Sequence, residues 1–223
     1  MFERIIVNRL EKHFEKRKTI SSSQYGFRTG RSTVDAALKL KKMAEKAFRQ
    51  RQFCAAVGLD IKNAFNWTPY TRIMEALELA QVPGYLVRII GSYFNSRRIE
   101  MELAAGPITR EITCGVPRGS VLGPTLWNVT FDGLLRLALP PGVKLICYAD
   151  DMLVVCQAES TAEVTRRINQ TLEMLTRWIE SAGLCLAVQK TKAVLFTKRR
   201  KYSPPSFVLK GVEIGLCSAL KLW

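Results

Sequence analysis

The chain has 223 residues, 48% of them apolar and 24% charged, and its 34 Lys and Arg against 19 Asp and Glu give a net charge of +15. That composition excludes disordered and fibrous classes and suits one large or two small globular domains. Its positive excess concentrates polyanions, so nucleic acid is the leading expected partner, ahead of an anionic membrane surface.

No apolar run approaches the roughly 18 residues that span a bilayer, and residues 1–10 alternate charge with apolar side chains instead of forming a signal-peptide core. A soluble, intracellular protein is expected, in nucleus or cytoplasm. Cysteines at 54, 114, 147, 156, 185 and 217 form no C-x-x-C pair, and His13 is the single histidine, so no zinc site is indicated. The thiols read as small buried residues in a reducing compartment, and His13 as a surface residue of a basic helix.

In chain order, residues 2–16 have helical spacing, with Ile5, Ile6, Arg9 and Leu10 on neighbouring positions. A loop carrying residues 24–33 follows. The next helix is predicted from Ser32, where Ser32 and Asp35 form a capping box, to about residue 50, burying Val34, Ala37, Leu38, Ala44, Ala47 and Phe48. Residues 53–60 form a short apolar run ending on Asp60, read as a buried strand. Thr68-Pro69 and Pro83 each open a helix, the first with Ile73, Leu77 and Ala80 inward and the second with Leu86, Ile89, Ile90 and Tyr93. Residues 97–103 and 107–113 alternate around Ala-Ala-Gly, a hairpin signature, and a glycine-rich turn at 115–119 leads into a helix from Ser120. Residues 144–155 read as two strands around Asp150-Asp151. Ser160 and Glu163 cap a long helix closed by Gly183, with Val164, Ile168, Leu172, Leu175 and Ile179 inward. A strand pair or strand and turn over 184–197, a basic loop from Lys198 and a last strand over 207–214 complete an α+β chain, an antiparallel sheet with helices packed on it.

Tyr148-Ala149-Asp150-Asp151 carries the sharpest chemistry. Adjacent carboxylates inside an apolar hairpin lose hydration and repel each other, and a divalent cation relieves both penalties. The bland alternative is a solvent-exposed Asp-Asp turn. Asp60, at the end of its own apolar strand, is an independent signal whose bland alternative is a helix N-cap or turn residue. Nucleotidyl transfer uses two ions about 4 Å apart or less, and carboxylates with water and phosphate oxygens suit magnesium.

Five segments then occur in the order found in reverse transcriptases: residues 24–33 (Q-Y-G-F-R-T-G-R-S-T), 59–65 (L-D-I-K-N-A-F), 115–124 (G-V-P-R-G-S-V-L-G-P), 148–151 (Y-A-D-D) and 183–190 (G-L-C-L-A-V-Q-K). The chain resembles the enzymes of non-LTR retrotransposons, particularly jockey-like insect elements. The resemblance implies a right-hand polymerase palm with partial fingers and no thumb. Residues 1–52 would be partial fingers and residues 53–223 palm with interleaved helices. It implies RNA-directed DNA synthesis from dNTPs on an RNA template and DNA primer, with two Mg²⁺ ions, or Mn²⁺ in their place, held by Asp60, Asp150 and Asp151. Phe65 would be the steric gate against a ribose 2′-hydroxyl. Gly119 and Ser120 would line the nucleotide, Arg28 and Arg31 would touch template or nucleotide, and Lys190 would protonate the leaving pyrophosphate. As bare residues these also read as a core aromatic, a helix-start turn, loop arginines and a strand-end lysine.

Three departures set alternatives beside that reading. Arg118 stands in the nucleotide-binding turn where the family has Gln, and a guanidinium cannot accept a hydrogen bond. The family's first fingers block is expected before Met1, and its primer grip and thumb after Trp223. A catalytically inactive nucleic-acid-binding remnant is therefore the rival expectation, and an RNA polymerase sharing the palm a third, against which Phe65 argues.

Overall fold

The structure, a computed structural model, describes residues 2–95, 97–103, 106–116 and 119–220. In chain order it runs α1 (Phe2–Arg17), α2 (Thr33–Arg49), β1 (Phe53–Leu59), α3 (Ala64–Trp67), α4 (Tyr70–Leu79), α5 (Gly84–Phe94), β2 (Arg98–Leu103) and β3 (Gly106–Glu111). It continues with α6 (Gly123–Leu135), β4 (Val143–Tyr148), β5 (Asp151–Ala158), α7 (Thr161–Ser181), a 3-10 turn (Val188–Lys190), β6 (Lys192–Phe196), β7 (Phe207–Leu209) and β8 (Val212–Ile214). This is the expected mixture of helices and antiparallel sheet. Packing gathers residues 1–20 with 63–133 into one compact unit and 21–62 with 134–223 into another. That division follows contacts, whereas the boundary at residue 52 followed motif order; the two partition the chain on different grounds.

The unit containing residues 21–62 and 134–223 is built on a four-stranded antiparallel sheet in the order β4-β5-β1-β6. Its two central strands are nearly continuous apolar runs because both of their faces are covered. On one face α2 packs against Cys54, Ala56, Ile146, Leu153, Val155 and Val194. Strand alternation sends Ala55, Val57, Val154 and Cys156 to the other face, where α7 lies along β5 and β1. Val164, Ile168, Leu172, Leu175 and Ile179 of α7 are all buried, as their spacing predicted. Burial of each such aliphatic side chain contributes about 1.5–3 kcal/mol relative to exposure.

The predicted face of α2 holds in its second half, where Ala44 and Ala47 are buried and Phe48 packs against the core, and fails in its first turns. Val34 and Leu38 are 62% and 44% exposed, while Ala36, Leu40, Met43, Ala44 and Ala47 are buried. The buried stripe puts alanines against the sheet, where a small side chain permits close approach; the larger aliphatics at 34 and 38 had drawn the expectation round the helix. The segment 207–214 is also corrected, from one strand to the hairpin β7–β8. Its turn residues Lys210 and Gly211 have φ +51° and +78°, the backbone of a two-residue type I′ loop.

In the other unit, α1, α4, α5 and α6 share a core that includes Leu10, Ile73, Leu77, Leu86, Ile90, Leu122 and Leu126. The inward face of α1 is Ile6, Val7, Leu10 and Phe14, with Ile5 exposed. His13 is part-buried, its Nε2 donating to the Ala80 carbonyl at 3.0 Å. Thr68 does not cap α4. Its hydroxyl turns back to the Ala64 carbonyl at 2.7 Å, ending α3, and Pro69 takes the N-cap position. The hairpin β2–β3 forms as predicted, exposed along nearly its whole length.

Candidate active site

Strand register brings the predicted carboxylates to one end of the sheet. In the β1–β5 ladder Gly58 pairs with Leu153 and Leu59 with Met152, so the next step sets Asp60 against Asp151. In the β1–β6 ladder Gly58 pairs with Lys192, and two residues further along each chain Asp60 meets Lys190. Alternation continues Cys54, Ala56 and Gly58 to Asp60, and Val155 and Leu153 to Asp151, on the face that α2 covers further down the strands. A cleft of about 510 Å³ opens there, lined by Gly58, Asp60, Asp151, Lys190 and Lys192 among others.

The Asp150-Asp151 pair is split between turn and strand. Tyr148 and Asp151 close the β4–β5 hairpin as a pair, leaving Ala149 and Asp150 as its two-residue loop. Ala149 has φ +58°, a region that costs an L-residue about 1–2 kcal/mol and that glycine normally fills at the first position of a type II′ turn. The hairpin therefore sits on a strained residue beside its two carboxylates.

Electrostatics tie these groups together. The Asp151 carboxyl is pushed above the usual carboxylate range, first by burial, then by the charges of Asp150 and Asp60, with Lys190 opposing. Lys190 donates from Nζ to Asp60 Oδ2 at 2.7 Å, and that bond, with the Asp60 charge, raises its own pKa. Among the described residues no three carboxylates, thiols or imidazoles are gathered into a ready ligand cluster. The donor type nonetheless suits magnesium: Asp60 and Asp151 offer hard carboxylate oxygens at adjoining strand ends, with Asp150 in the turn beside them, and carry negative charge that a cation would relieve.

The other predicted residues stand as follows. In the same unit, Arg28 donates to the Ser21 carbonyl at 2.8 Å, and Arg31 donates to the Ser22 and Gln24 carbonyls and lies over the Tyr25 ring. Both guanidiniums brace the 21–31 loop. Phe65, Gly119 and Ser120 belong to the other unit. The Phe65 ring packs 5.1 Å from Trp127, which stacks on Phe131. Gly119 is exposed at φ +80°, and Ser120 Oγ accepts from the Gly123 amide at 2.9 Å, opening α6. Arg118 lies outside the described residues.

Two contacts were not read from the sequence, although Gln24 opens the 24–33 segment. Glu3, in the first turn of α1, accepts from the Val121 and Leu122 amides at 2.8 and 3.3 Å and from the Tyr93 hydroxyl at 3.0 Å, fixing the backbone just after Ser120. Gln24 is fully buried against the Ala149 turn. Neither contact has a local signature, since the groups involved are about a hundred residues apart in the chain.

Comparison with known proteins adds an independent line. The profile of the family described as reverse transcriptase (RNA-dependent DNA polymerase) matches residues 1–212. The "Probable RNA-directed DNA polymerase from transposon BS" of Drosophila melanogaster is 31% identical over 204 residues, 88% of this chain and 22% of that protein. The RNA-directed DNA polymerase from mobile element jockey of the same species is 28% identical over 213 residues, 92% of this chain and 23% of that protein. The chain thus spans less than a quarter of the length of these relatives. Among solved structures, apo telomerase from Candida tropicalis truncated from its C-terminal domain superposes with a TM-score of 0.65 at 10% identity, over 94% of this chain and 42% of that one. Telomerase from Candida albicans in complex with a TWJ fragment of telomeric RNA gives 0.62 at 14% identity, over 94% and 35%. At such identities the likeness speaks to fold, and it is the palm-like α+β fold that the motif order implied.

Proposed function

The chain belongs to the reverse transcriptase family, and from that premise we propose that it performs RNA-directed DNA synthesis, joining dNTPs to a primer 3′-hydroxyl on an RNA template. The observation that carries this reading is the convergence of Asp60, Asp151 and Lys190 through two strand registers, with Asp150 in the adjoining turn. Non-LTR elements of the jockey and R1 kinds are the relatives it resembles.

Asp60, Asp150 and Asp151 would hold two magnesium ions, whose chemistry when bound is to acidify the primer hydroxyl and neutralise the triphosphate. The protein's own share is positioning and charge placement. Sheet register fixes Asp60 against Asp151. Lys190, its pKa raised, keeps its proton at neutral pH and has a side chain 74% exposed, able to leave Asp60 and deliver that proton to the departing pyrophosphate. Phe65 would exclude a 2′-hydroxyl. Gly119, Ser120 and Arg118 would line the nucleotide, and Arg28 and Arg31 would hold the loop beside the template.

Template-primed dNTP incorporation tests this reading. Wild-type chain with magnesium is expected to extend a primer, and Asp150→Asn to lose about a hundredfold or more of that rate, the scale of losing a charge-stabilising group at the reacting centre. Equal incorporation by the variant would reject the assignment. The net charge of +15 favours a second reading, a nucleic-acid-binding remnant without turnover. Salt-sensitive RNA binding with no incorporation by the wild-type chain would select it.

A further inference from the structure

We propose that Gln24 is a positioning residue whose side-chain amide holds the Ala149–Asp150 turn in the conformation that presents the two carboxylates. The proposal rests on the polymerase reading of Asp150 and Asp151.

Gln24 is 0% exposed, and a buried primary amide is tolerated only when its polar atoms are paired. Its Nε2 donates to the Ala149 carbonyl at 3.0 Å, and its Oε1 accepts from the Ala149 amide at 3.1 Å and the Gly26 amide at 2.9 Å. One side chain thus engages both backbone polar groups of the single turn residue that stands at positive φ. An alanine left to itself favours negative φ, and that relaxation would rotate the peptide leading into Asp150.

The surrounding chain is shaped to deliver this amide. Tyr25 N donates to the Cys147 carbonyl and Cys147 N to the Ser23 carbonyl, each at 2.8 Å, so the backbone around Gln24 runs parallel to the end of β4. Gly26 must be glycine for the same approach: a Cβ there would stand 2.1 Å from the Ala149 nitrogen. Arg31 holds the Gln24 carbonyl at 3.1 Å, fixing the residue's other end. All these groups lie in one compact unit. The Q-Y-G-F segment is therefore read as a brace for the carboxylate turn 125 residues away.

Gln24→Met tests this, because methionine fills the volume while removing all three bonds. Amide exchange at Ala149 is expected to quicken by about tenfold or more while the amides of α7 stay protected. The rate constant for incorporation is expected to fall by about tenfold or more with the dNTP KM within about twofold, the signature of misplaced catalytic groups rather than lost substrate binding. Adding Ala149→Gly, which makes positive φ costless, is expected to recover part of that rate. Unchanged exchange at Ala149, or no rescue by the glycine, would overturn the proposal. Should Gln24→Met unfold, the wild-type chain still decides: an Ala149 amide that exchanges freely, unlike the ladder amides of β5, refutes the clamp. Absence of incorporation by the wild type would count against the polymerase reading and leave the exchange result standing.

Discussion

Asp151 is exposed at the start of β5, yet the surrounding protein removes part of its carboxyl's hydration, and it feels the charges of Asp150, its neighbour in the chain, and Asp60, across the sheet. Its folded-state pKa therefore lies above the unfolded value, so its ionisation costs stability as pH rises from 3.8 through the raised value, and costs nothing below the unfolded pKa. Asp151→Asn is expected to melt about 1–3 °C above wild type at neutral pH without divalent metal, an effect kept small by solvent screening, and the gap should close as the pH falls below about 4. Thermal melts across that range check this, and a variant melting below wild type at pH 7 would contradict it. Asp60, Asp150 and Asp151 stood out in the sequence because carboxylates inside apolar runs demand a reason, and the structure sets Asp60 and Asp151 at adjoining strand ends with Asp150 in the turn. Glu3, and Gln24 at the head of the 24–33 segment, did not announce their long-range contacts. Each is an ordinary polar residue until a distant backbone folds onto it, and no local pattern records that encounter.

Elements were legible where their signals are local. Ser32 and Asp35 form the predicted capping box, with Asp35 N donating to Ser32 Oγ at 3.2 Å and Ser32 N to Asp35 Oδ2 at 2.9 Å. That bonding, the Ser32 hydroxyl foremost, holds the Asp35 carboxyl below its usual range. Ser32→Ala removes the hydroxyl half of the box and is expected to cost about 1 kcal/mol in chemical denaturation; a loss under a few tenths would show that the cap contributes little in this chain. Ala44 and Ala47 of α2 are buried as predicted, but its first turns were misread because two apolar stripes overlap there. Hydrophobicity favoured Val34 and Leu38, while the sheet selected alanines whose size lets the helix approach. The β7–β8 hairpin was missed for a related reason: Lys210 at φ +51° is not a residue that announces a turn, and Gly211 alone inside a short apolar run was read through.

At the scale of the whole molecule, motif order alone had implied a polymerase palm, and both the antiparallel sheet and the likeness to telomerase folds agree with it. The sheet explains why residues 60, 151 and 190, so far apart in sequence, lie side by side: antiparallel registers turn sequence distance into lateral neighbourhood at a shared strand end. In the proposed active site Asp60 shares a cation with the Asp150-Asp151 pair. Iron(II) takes oxygen-ligand sites of this kind and, with ascorbate and peroxide, cuts the backbone beside its ligands. Mapping those cuts by mass spectrometry tests the sharing directly. Cleavage is expected both at Asp60 and at Asp150-Asp151, with both sets lost together in Asp60→Asn. Cleavage confined to one of the two segments, or a pattern unchanged by that substitution, would contradict it.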